Sequence, residues 1–310
     1  MKEVTIVSAF FNIGRSNISG FNRSTQKYFD YFKVWGKIKN HLIVYTYEAM
    51  AKKVIEYRKS LGLEDRTTVV IIDDIFAEEK ELYKRMKAVE KDESFLKFRL
   101  KDSIENRADY DYITFMKGWF LNKAFEDKLL KTDLTAWIDF GFNHGDLCYT
   151  KPEEFDFLWK CELSTDKIHL FTSSDHIIHR SPFLDLRYLS ENLSGAINIM
   201  GTSMIPRFYQ LTLKATEAML MLGFIDDDQM VYKIAKDYEP ELFTYHKSYW
   251  WFMPLKEHGA PFLTTRDQSS NEAKHISFFK KIKGRFLYEK QKVKYFLSEL
   301  REYDRYFRQK

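Results

Sequence analysis

A single carboxylate follows directly on a buried apolar segment near the middle of the chain. The apolar residues 136–138 predict the end of a buried strand, and Asp139 comes next, ahead of Gly141 and Gly145. Open α/β sheets bind their ligands beyond the carboxyl ends of strands, and glycines let a ligand approach the backbone. The segment therefore predicts a pocket over Asp139. The alternative is that Asp139 caps the turn that follows.

Apolar runs on both sides of this segment predict the elements that must position it. Short continuous runs, typical of strands buried on both faces, occupy 4–11, 41–46, 67–72, 167–172 and 195–201, in addition to the strand that ends at 138. Helical patterns occupy 26–35, 47–61, 77–93, 109–130 and 208–222, with one more from 226. In the helix 109–130, one apolar face is marked by Ile113, Met116, Phe120 and Ala124. Strands that alternate with helices predict an α/β fold with a mostly parallel central sheet.

The composition predicts one large domain followed by a basic appendage. The chain has 310 residues and is 45% hydrophobic, which is enough to bury a sizeable core. The formal net charge is +4, and the excess of Lys and Arg is concentrated after residue 280. The predicted division is a domain 1–274 and a basic amphipathic helical tail 275–310.

Cysteine usage and charge indicate the compartment and exclude some partners. Cys148 and Cys161 are too few for a disulfide framework and lack the spacing of a zinc site, so we expect reduced thiols in the cytoplasm. No run approaches the length of a membrane span, and the start of the chain is typical of a strand rather than a signal peptide. The part before the tail carries a slight negative charge, which argues against a nucleic-acid partner.

Several common nucleotide and hydrolase motifs are missing. The sequence has no GxGxxG after its first strand, no GxxxxGK[ST] phosphate loop, no HExxH and no GxSxG. These absences favour sheet enzymes that hold a nucleotide by scattered loops and one metal ion, mainly nucleotide-sugar transferases of the GT-A type. In such a fold about 1–150 would bind the nucleotide and about 151–274 the acceptor.

Two segments resemble one protein family. The opening segment 5–15, TIVSAFFNIGR, is similar to the first strand and loop of the HtrL/YibB (WlaTC/HtrL glycosyltransferase-like) family, and 137–141, WIDFG, resembles its central tryptophan–acid–glycine motif. The likeness extends over roughly 2–253. It implies a GT-A-like glycosyltransferase role without naming a sugar.

The resemblance implies a divalent metal at Asp139. GT-A enzymes end a strand in Asp-x-Asp, whose carboxylates hold Mn²⁺ or Mg²⁺ against the donor diphosphate, whereas Gly141 stands at the second acid here. Since such ions often take only one or two protein carboxylates, Asp139 can suffice. His246 is the candidate for a further metal ligand, with packing in an aromatic cluster as the alternative. A metal-independent transferase, in which cations neutralise the diphosphate, stays open.

Donor-binding candidates follow from the same resemblance. Arg15 lies in the loop after the first strand, Arg23 lies one or two turns further on, and Lys117 lies in the helix before Asp139. Such cations suit a diphosphate, although a helix lysine is more often solvated.

Phe10 or Tyr28 is the candidate for stacking on the base, with core packing as the alternative for either. Gly141 leaves room for the donor beside Asp139.

Acceptor-binding candidates lie in the second half. Gly195 begins a strand that resembles the glycine-containing acceptor strand of GT-A enzymes. Trp250, with its neighbour Trp251, offers a flat face for a sugar, with core packing as the alternative. Asp227 or Asp228, at a predicted helix start, would deprotonate the acceptor hydroxyl in an inverting enzyme or orient the acceptor in a retaining one. Acids in a first turn also stabilise the helix dipole, which is the structural alternative.

The predicted function is transfer of a sugar from a nucleotide-sugar donor, a UDP-sugar, to a bacterial surface glycan such as lipopolysaccharide or capsule. The alternative is a non-catalytic nucleotide- or glycan-binding protein on the same fold, which the missing second acid favours. A bound nucleotide with no path to the anomeric carbon of a sugar would favour this alternative.

The tail predicts a further contact. Its apolar stripe consists of Val293, Phe296, Leu300, Tyr303 and Phe307, opposite a cationic face. Such a helix suits an anionic membrane surface, which would place the enzyme at the inner face of the membrane beside a lipid-linked acceptor. Packing on the domain or in a homodimer is the alternative.

Overall fold

The computed structural model describes residues 1–14, 23–99, 104–144, 147–172, 181–189, 193–248 and 250–266, with six further positions between 290 and 301. The chain divides into a compact unit, Met1–Thr265, and a second unit, Arg266–Lys310. The predicted boundary at residue 275 lies outside the described residues. In the second unit, Val293, Phe296 and Leu300 of the predicted stripe are helical and exposed, whereas Tyr303 and Phe307 lie outside the described residues.

The first unit is built on one sheet. In the described residues its strands are β1 (Lys2–Phe10), β2 (Leu42–Thr46), β3 (Thr67–Ile71), β4 (Leu134–Ile138), β5 (Lys160–Cys161), β6 (Ile168–Thr172), β7 (Ile197–Gly201) and β8 (Phe243–Lys247). Their order is β3-β2-β1-β4-β7-β6-β8, and the two-residue β5 pairs with β1. The pairs β1–β2, β1–β4, β2–β3 and β6–β8 are parallel, whereas β7 is antiparallel to both its neighbours.

Helices cover both faces of the sheet. They are α1 (Thr25–Trp35), α2 (Glu48–Ser60), α3 (Lys80–Glu90), α4 (Glu93–Phe98), α5 (Ala108–Glu126), α6 (Pro182–Tyr188), α7 (Ile205–Met221), α8 (Asp228–Tyr238) and α9 (Pro254–Glu257). Alternate residues of β1 enter different core clusters, Ile6 on one face and Val7 on the other, as the period of two in a strand requires. The predicted α/β fold with a mostly parallel central sheet flanked by helices is confirmed.

Strand β8 was not predicted, and its sequence explains why. Of its five residues, Phe243 is buried, the next three are half-buried and Lys247 is exposed. It lies at the edge of the sheet beside β6. Its sequence FTYHK contains three polar residues and therefore lacks the continuous apolar run by which other strands were predicted.

Helix α5 is buried more completely than one apolar face would require. It contacts β1 and the helices α3, α7 and α8, so that polar residues such as Asp111 and Lys117 are buried together with Met116 and Phe120. The predicted single face, which included the half-buried Ile113, was too narrow. A lysine on this helix is consequently drawn into the protein interior rather than solvated.

The sheet has a topological switch point between β1 and β4. The chain leaves β1 towards β2 on one side, and β4 lies on the other. Open α/β sheets bind ligands in the crevice beyond the carboxyl ends of the strands at such a point. Because β7 runs antiparallel, its amino end lies at the same edge, and the Asp139 amide donates to the Ala196 carbonyl at 2.9 Å. Gly195 is thereby brought next to Asp139.

Among the described residues, every helix is too short or too polar to span a lipid bilayer.

Candidate functional site

A cavity of about 320 Å³ opens at the switch point, within the first unit. Seven of the predicted site residues line it: Phe10, Lys117, Asp139, Gly141, Gly195, Asp227 and Asp228. Other lining residues are Asn12, Arg23, Tyr28, Trp137, His144 and Trp251. These residues come from separate segments, among them β1, α1, α5, the end of β4, the segment before β7 and the start of α8, which thus converge on one space.

The centre of the cavity wall is a buried lysine held by three oxygen atoms. Lys117 Nζ donates to Asp228 Oδ2 at 2.6 Å and to the Gly195 carbonyl at 2.8 Å, and it lies 2.8 Å from Asp139 Oδ1. An ammonium group has three N–H donors. All three are therefore used by protein acceptors, so Lys117 can bind a diphosphate only by giving up one of these partners.

The two carboxylates of this cluster differ in exposure. The Asp228 side chain is 4% exposed and the Asp139 side chain 30%. Burial raises the pKa of Asp228, Lys117 opposes the rise and Asp139 adds to it. Burial alone would lower the pKa of Lys117, but Asp139 and Asp228 raise it above its usual value. The lysine is thus charged, and the buried Asp228 carboxyl takes up a proton at a higher pH than an aspartate in solvent would.

Asp139 faces the cavity with one oxygen committed. Its Oδ1 accepts from Trp137 Nε1 at 2.7 Å in addition to Lys117, while Oδ2 has no partner within the part of the chain that the structure describes. The turn after β4 is closed by the backbone, through the Phe142 amide to the Asp139 carbonyl. The side chain therefore does not cap this turn, and it lines the cavity with its second oxygen uncommitted among the described residues.

The three consecutive acids before and at the start of α8 have different contacts. Asp226 accepts from the buried Arg99 at 2.9 Å. Asp227 is the N-cap of α8 and accepts from the Gln229 amide at 3.0 Å, which is the structural role expected of an acid there. Asp228 instead contacts Lys117. Of the two predicted catalytic acids, only Asp228 belongs to the lysine cluster.

Both predicted glycines make room for side chains of the site. A Cβ at Gly141 would lie 2.9 Å from the Tyr28 ring, and a Cβ at Gly195 would lie 2.4 Å from Asp228 Oδ2. An acid at position 141 would therefore displace Tyr28. A larger residue at position 195 would push Asp228 away from Lys117. Close packing against Tyr28 and Asp228 therefore explains why both positions are glycine, which the sequence alone did not reveal.

An arginine and a histidine also line the cavity and contact each other. His144 Nδ1 donates to the Gly141 carbonyl, so the neutral ring presents Nε2 as an acceptor, and Arg23 Nη1 donates to it at 3.4 Å. His144 was not predicted as a site residue. Its signal was available, because it lies in the glycine-bounded segment that follows Asp139.

The aromatic candidates divide between the cavity and the core. Phe10 lines the cavity while its ring packs 5.1 Å from Tyr28 and 5.0 Å from Phe140, so both of its predicted roles are compatible with its position. Trp250 is not among the lining residues, whereas its neighbour Trp251 is. Arg15 lies outside the described residues and stays a prediction.

His246 is not brought to Asp139. It lies on β8, three strand spacings from β4, which is about 14 Å across the sheet. There it forms a histidine cluster with His169 and His258: its Nε2 donates to His169 Nδ1 at 2.9 Å, and its ring centroid is 4.8 Å from that of His258. The structure thus separates the two predicted metal ligands.

The histidine cluster predicts a loss of stability in acid. Burial, and then His258 and His169, lower the pKa of His246 to about 4, and burial lowers those of His169 and His258. An unfolded histidine has a pKa of about 6.5, so the unfolded chain takes up protons first. The contribution is complete above about pH 6.5 and is lost as the pH falls towards 4.

We expect the thermal unfolding midpoint to fall across this pH window, and to fall less steeply in His246→Phe. The neighbouring Tyr245→Phe is the control, because a tyrosine does not titrate there. Parallel pH profiles for wild type and His246→Phe would contradict the prediction.

Fold and site together define an α/β protein with a charged cavity at the switch point of a mostly parallel sheet. A family model described as "Bacterial protein of unknown function (HtrL_YibB)" matches residues 2–255, and the chain belongs to this family. The predicted family membership is confirmed. The chain is 29% identical over 256 residues to Protein HtrL of Escherichia coli (strain K12), which covers 77% of this chain and 86% of that protein.

Among solved structures, apo mouse xyloside xylosyltransferase 1 aligns with 78% of this chain and 84% of its own, at 12% sequence identity and a TM-score of 0.41.

Proposed function

We propose that the protein is a GT-A-like glycosyltransferase that uses a nucleotide-sugar donor, a UDP-sugar, and a glycan acceptor. The observation that carries the proposal is the cluster in which Lys117 joins the half-exposed Asp139 to the buried Asp228, in the wall of a cavity at the switch point. Such a cavity is the usual nucleotide site of an open α/β sheet, and paired carboxylates in unlike environments suit acid–base chemistry.

The donor is proposed to lie along the β1 side of the cavity. Phe10 and Tyr28 offer aromatic surface there, and Arg23 lines the same space. A guanidinium group binds phosphate oxygens in a bidentate manner. Because the donors of Lys117 are already used, Arg23 is the better candidate among the described residues for the diphosphate, and the Arg15 prediction adds to it.

Asp228 is proposed to act on the acceptor. In an inverting enzyme its carboxylate takes the proton of the acceptor hydroxyl, whose oxygen bonds to the anomeric carbon as the bond to the diphosphate breaks. The diphosphate leaves with the bonding electron pair. In a retaining enzyme Asp228 would orient the acceptor instead. In either case Lys117 and Gly195 hold the position of this carboxylate.

The residues as arranged do not fit the divalent metal that the GT-A resemblance implies. The ammonium group of Lys117 already contacts Asp139 Oδ1 and Asp228 Oδ2, and a cation bound between them would face that charge. Among the described residues no group of three His, Cys, Asp or Glu is placed to hold a metal ion.

The acceptor is proposed to be a bacterial surface glycan. The basic tail is proposed to bind the inner face of the membrane or to form a homodimer contact. A non-catalytic nucleotide- or glycan-binding protein is the second candidate. The Tyr28 ring beside Gly141 favours this candidate, because the ring leaves no room for the usual second acid.

Binding of UDP tests the proposed donor site. We expect wild-type protein to bind UDP in isothermal titration calorimetry, and Arg23→Gln to weaken binding roughly 10- to 100-fold, the value of a hydrogen bond to a charged group. At 100 times its dissociation constant, UDP should add about 2.7 kcal/mol to the free energy of unfolding.

Arg207→Gln is the matched control, because Arg207 lies on α7 and pairs with Glu239 at the surface. Its UDP affinity should equal that of wild type. Absence of UDP binding by the wild-type protein would contradict the proposed donor class. Binding without sugar transfer to any glycan would favour the second candidate.

A further inference from the structure

We propose that Lys117 is a built-in cation that occupies the position of a divalent metal ion between Asp139 and Asp228, so that the wild-type site works without one. For its meaning in catalysis this inference rests on the proposed transferase function. Its test does not, because metal binding can be measured without any substrate.

The geometry around Nζ resembles a cation site made of oxygen ligands. Two carboxylate oxygens and the Gly195 carbonyl surround the ammonium group at 2.6 to 2.8 Å. Carboxylate and carbonyl oxygens are the ligands that suit Mg²⁺ and Mn²⁺. The Lys117 side chain is 8% exposed, so its charge is held among these oxygens with little contact with solvent.

Each ligand is also held in place by a second contact or by the backbone. Asp139 Oδ1 accepts from Trp137 Nε1 at 2.7 Å. Asp228 is the first residue of α8 and packs against the Gly195 backbone, where a Cβ would meet it at 2.4 Å. The three oxygens are therefore set by elements other than Lys117 itself, and they should stay near one another when the lysine side chain is removed.

Removal of the ammonium group would then leave the buried Asp228 and the partly exposed Asp139 side by side with no cation. Without a counter-charge such a pair is costly, because one acid must become protonated or take up a cation. A divalent ion restores neutrality with the same three oxygens. Lys117→Ala should accordingly create a Mn²⁺ site that the wild-type protein lacks.

The experiment is a Mn²⁺ titration followed by electron paramagnetic resonance, without nucleotide. We expect Lys117→Ala to bind one Mn²⁺ at least about tenfold more tightly than wild type, a gain of about 1.4 kcal/mol, and to unfold at a higher temperature when Mn²⁺ is present. The double variant Lys117→Ala/Asp228→Asn should lose this gain. Lys123→Ala is the control on the same helix, since Lys123 pairs with Asp127 at the surface.

If Lys117→Ala does not fold, a second measurement on the wild-type protein tests the inference. The UDP affinity of the wild-type protein should be the same in EDTA and in Mn²⁺. Two outcomes would overturn the inference: Mn²⁺ binding by wild type as tight as by Lys117→Ala, or a wild-type UDP affinity that depends on Mn²⁺. Failure of UDP to bind at all would count against the donor proposal, while the Mn²⁺ titration would still decide this one.

Discussion

Asp228→Asn is expected to slow sugar transfer by roughly 100- to 10,000-fold, the usual contribution of a positioned general base. The amide keeps the shape of the carboxylate beside Gly195 but cannot accept a proton. If Asp228 is the base, kcat should fall much more than the affinity for UDP, because the donor is proposed to contact Phe10, Tyr28 and Arg23. Steady-state kinetics with calorimetric UDP binding measure the two effects separately.

The pH dependence of the transfer rate distinguishes a catalytic role of Asp228 from a purely structural one. Because burial raises the pKa of Asp228, the base becomes protonated at a higher pH than the usual value of about 3.9 for an aspartate. The rate should therefore be lost on the acid side above that value, and this limb should disappear in the residual activity of Asp228→Asn.

Asp227→Asn is the matched control for this substitution. It changes the adjacent acid, which caps α8, and asparagine is as good a cap as aspartate. Its rate should stay within a few-fold of wild type. A wild-type rate for Asp228→Asn, or equal losses for both variants, would remove Asp228 from the proposed mechanism.

The second large effect concerns stability. Lys117→Met is expected to lower the free energy of unfolding by about 3 to 5 kcal/mol, the cost of breaking a buried ion pair by removing one partner. Asp228 is 4% exposed, so solvent cannot replace the lost ammonium group. Urea unfolding at neutral pH measures the change.

A double-mutant cycle shows whether this cost belongs to the charge or to the shape of the side chain. In Lys117→Met/Asp228→Asn, the Asp228 charge that lost its partner is removed as well. The double variant should therefore be more stable than the sum of the two single changes predicts, by about 0.5 to 3 kcal/mol. Lys123→Met, at an exposed position of the same helix, should change stability by less than about 0.5 kcal/mol. Additive losses would contradict the proposed charge coupling.

The central strands could be predicted because their burial is a local property. Strands β1, β2, β4, β6 and β7 consist largely of residues buried on both faces, and each was found as a continuous apolar run. Placement of Asp139 after β4 follows from the same signal. The edge strand β8 and the short helices α4 and α6 lack such a run and were missed.

Contacts between distant segments could not be predicted in the same way. Asp139, Gly195 and Asp228 were each suggested by a local pattern, but that Lys117 joins all three depends on how α5 packs between the sheet and α8. His246 illustrates the opposite case. Its residue type suited a metal, yet the strand order places it on the edge strand β8, three strands away from β4 and Asp139.

The distance along the chain between Lys117 and Asp228 has a consequence for the protein's synthesis. The two residues are 111 positions apart, and at about 5 to 20 residues per second a ribosome makes them roughly 5 to 20 s apart. During that interval α5, β1 and β4 are complete while the second carboxylate does not yet exist. Full burial of Lys117 would then leave its charge incompletely matched. The growing chain is thus expected to keep this helix loosely docked until α8 emerges, and the interval is when it most needs protection from aggregation.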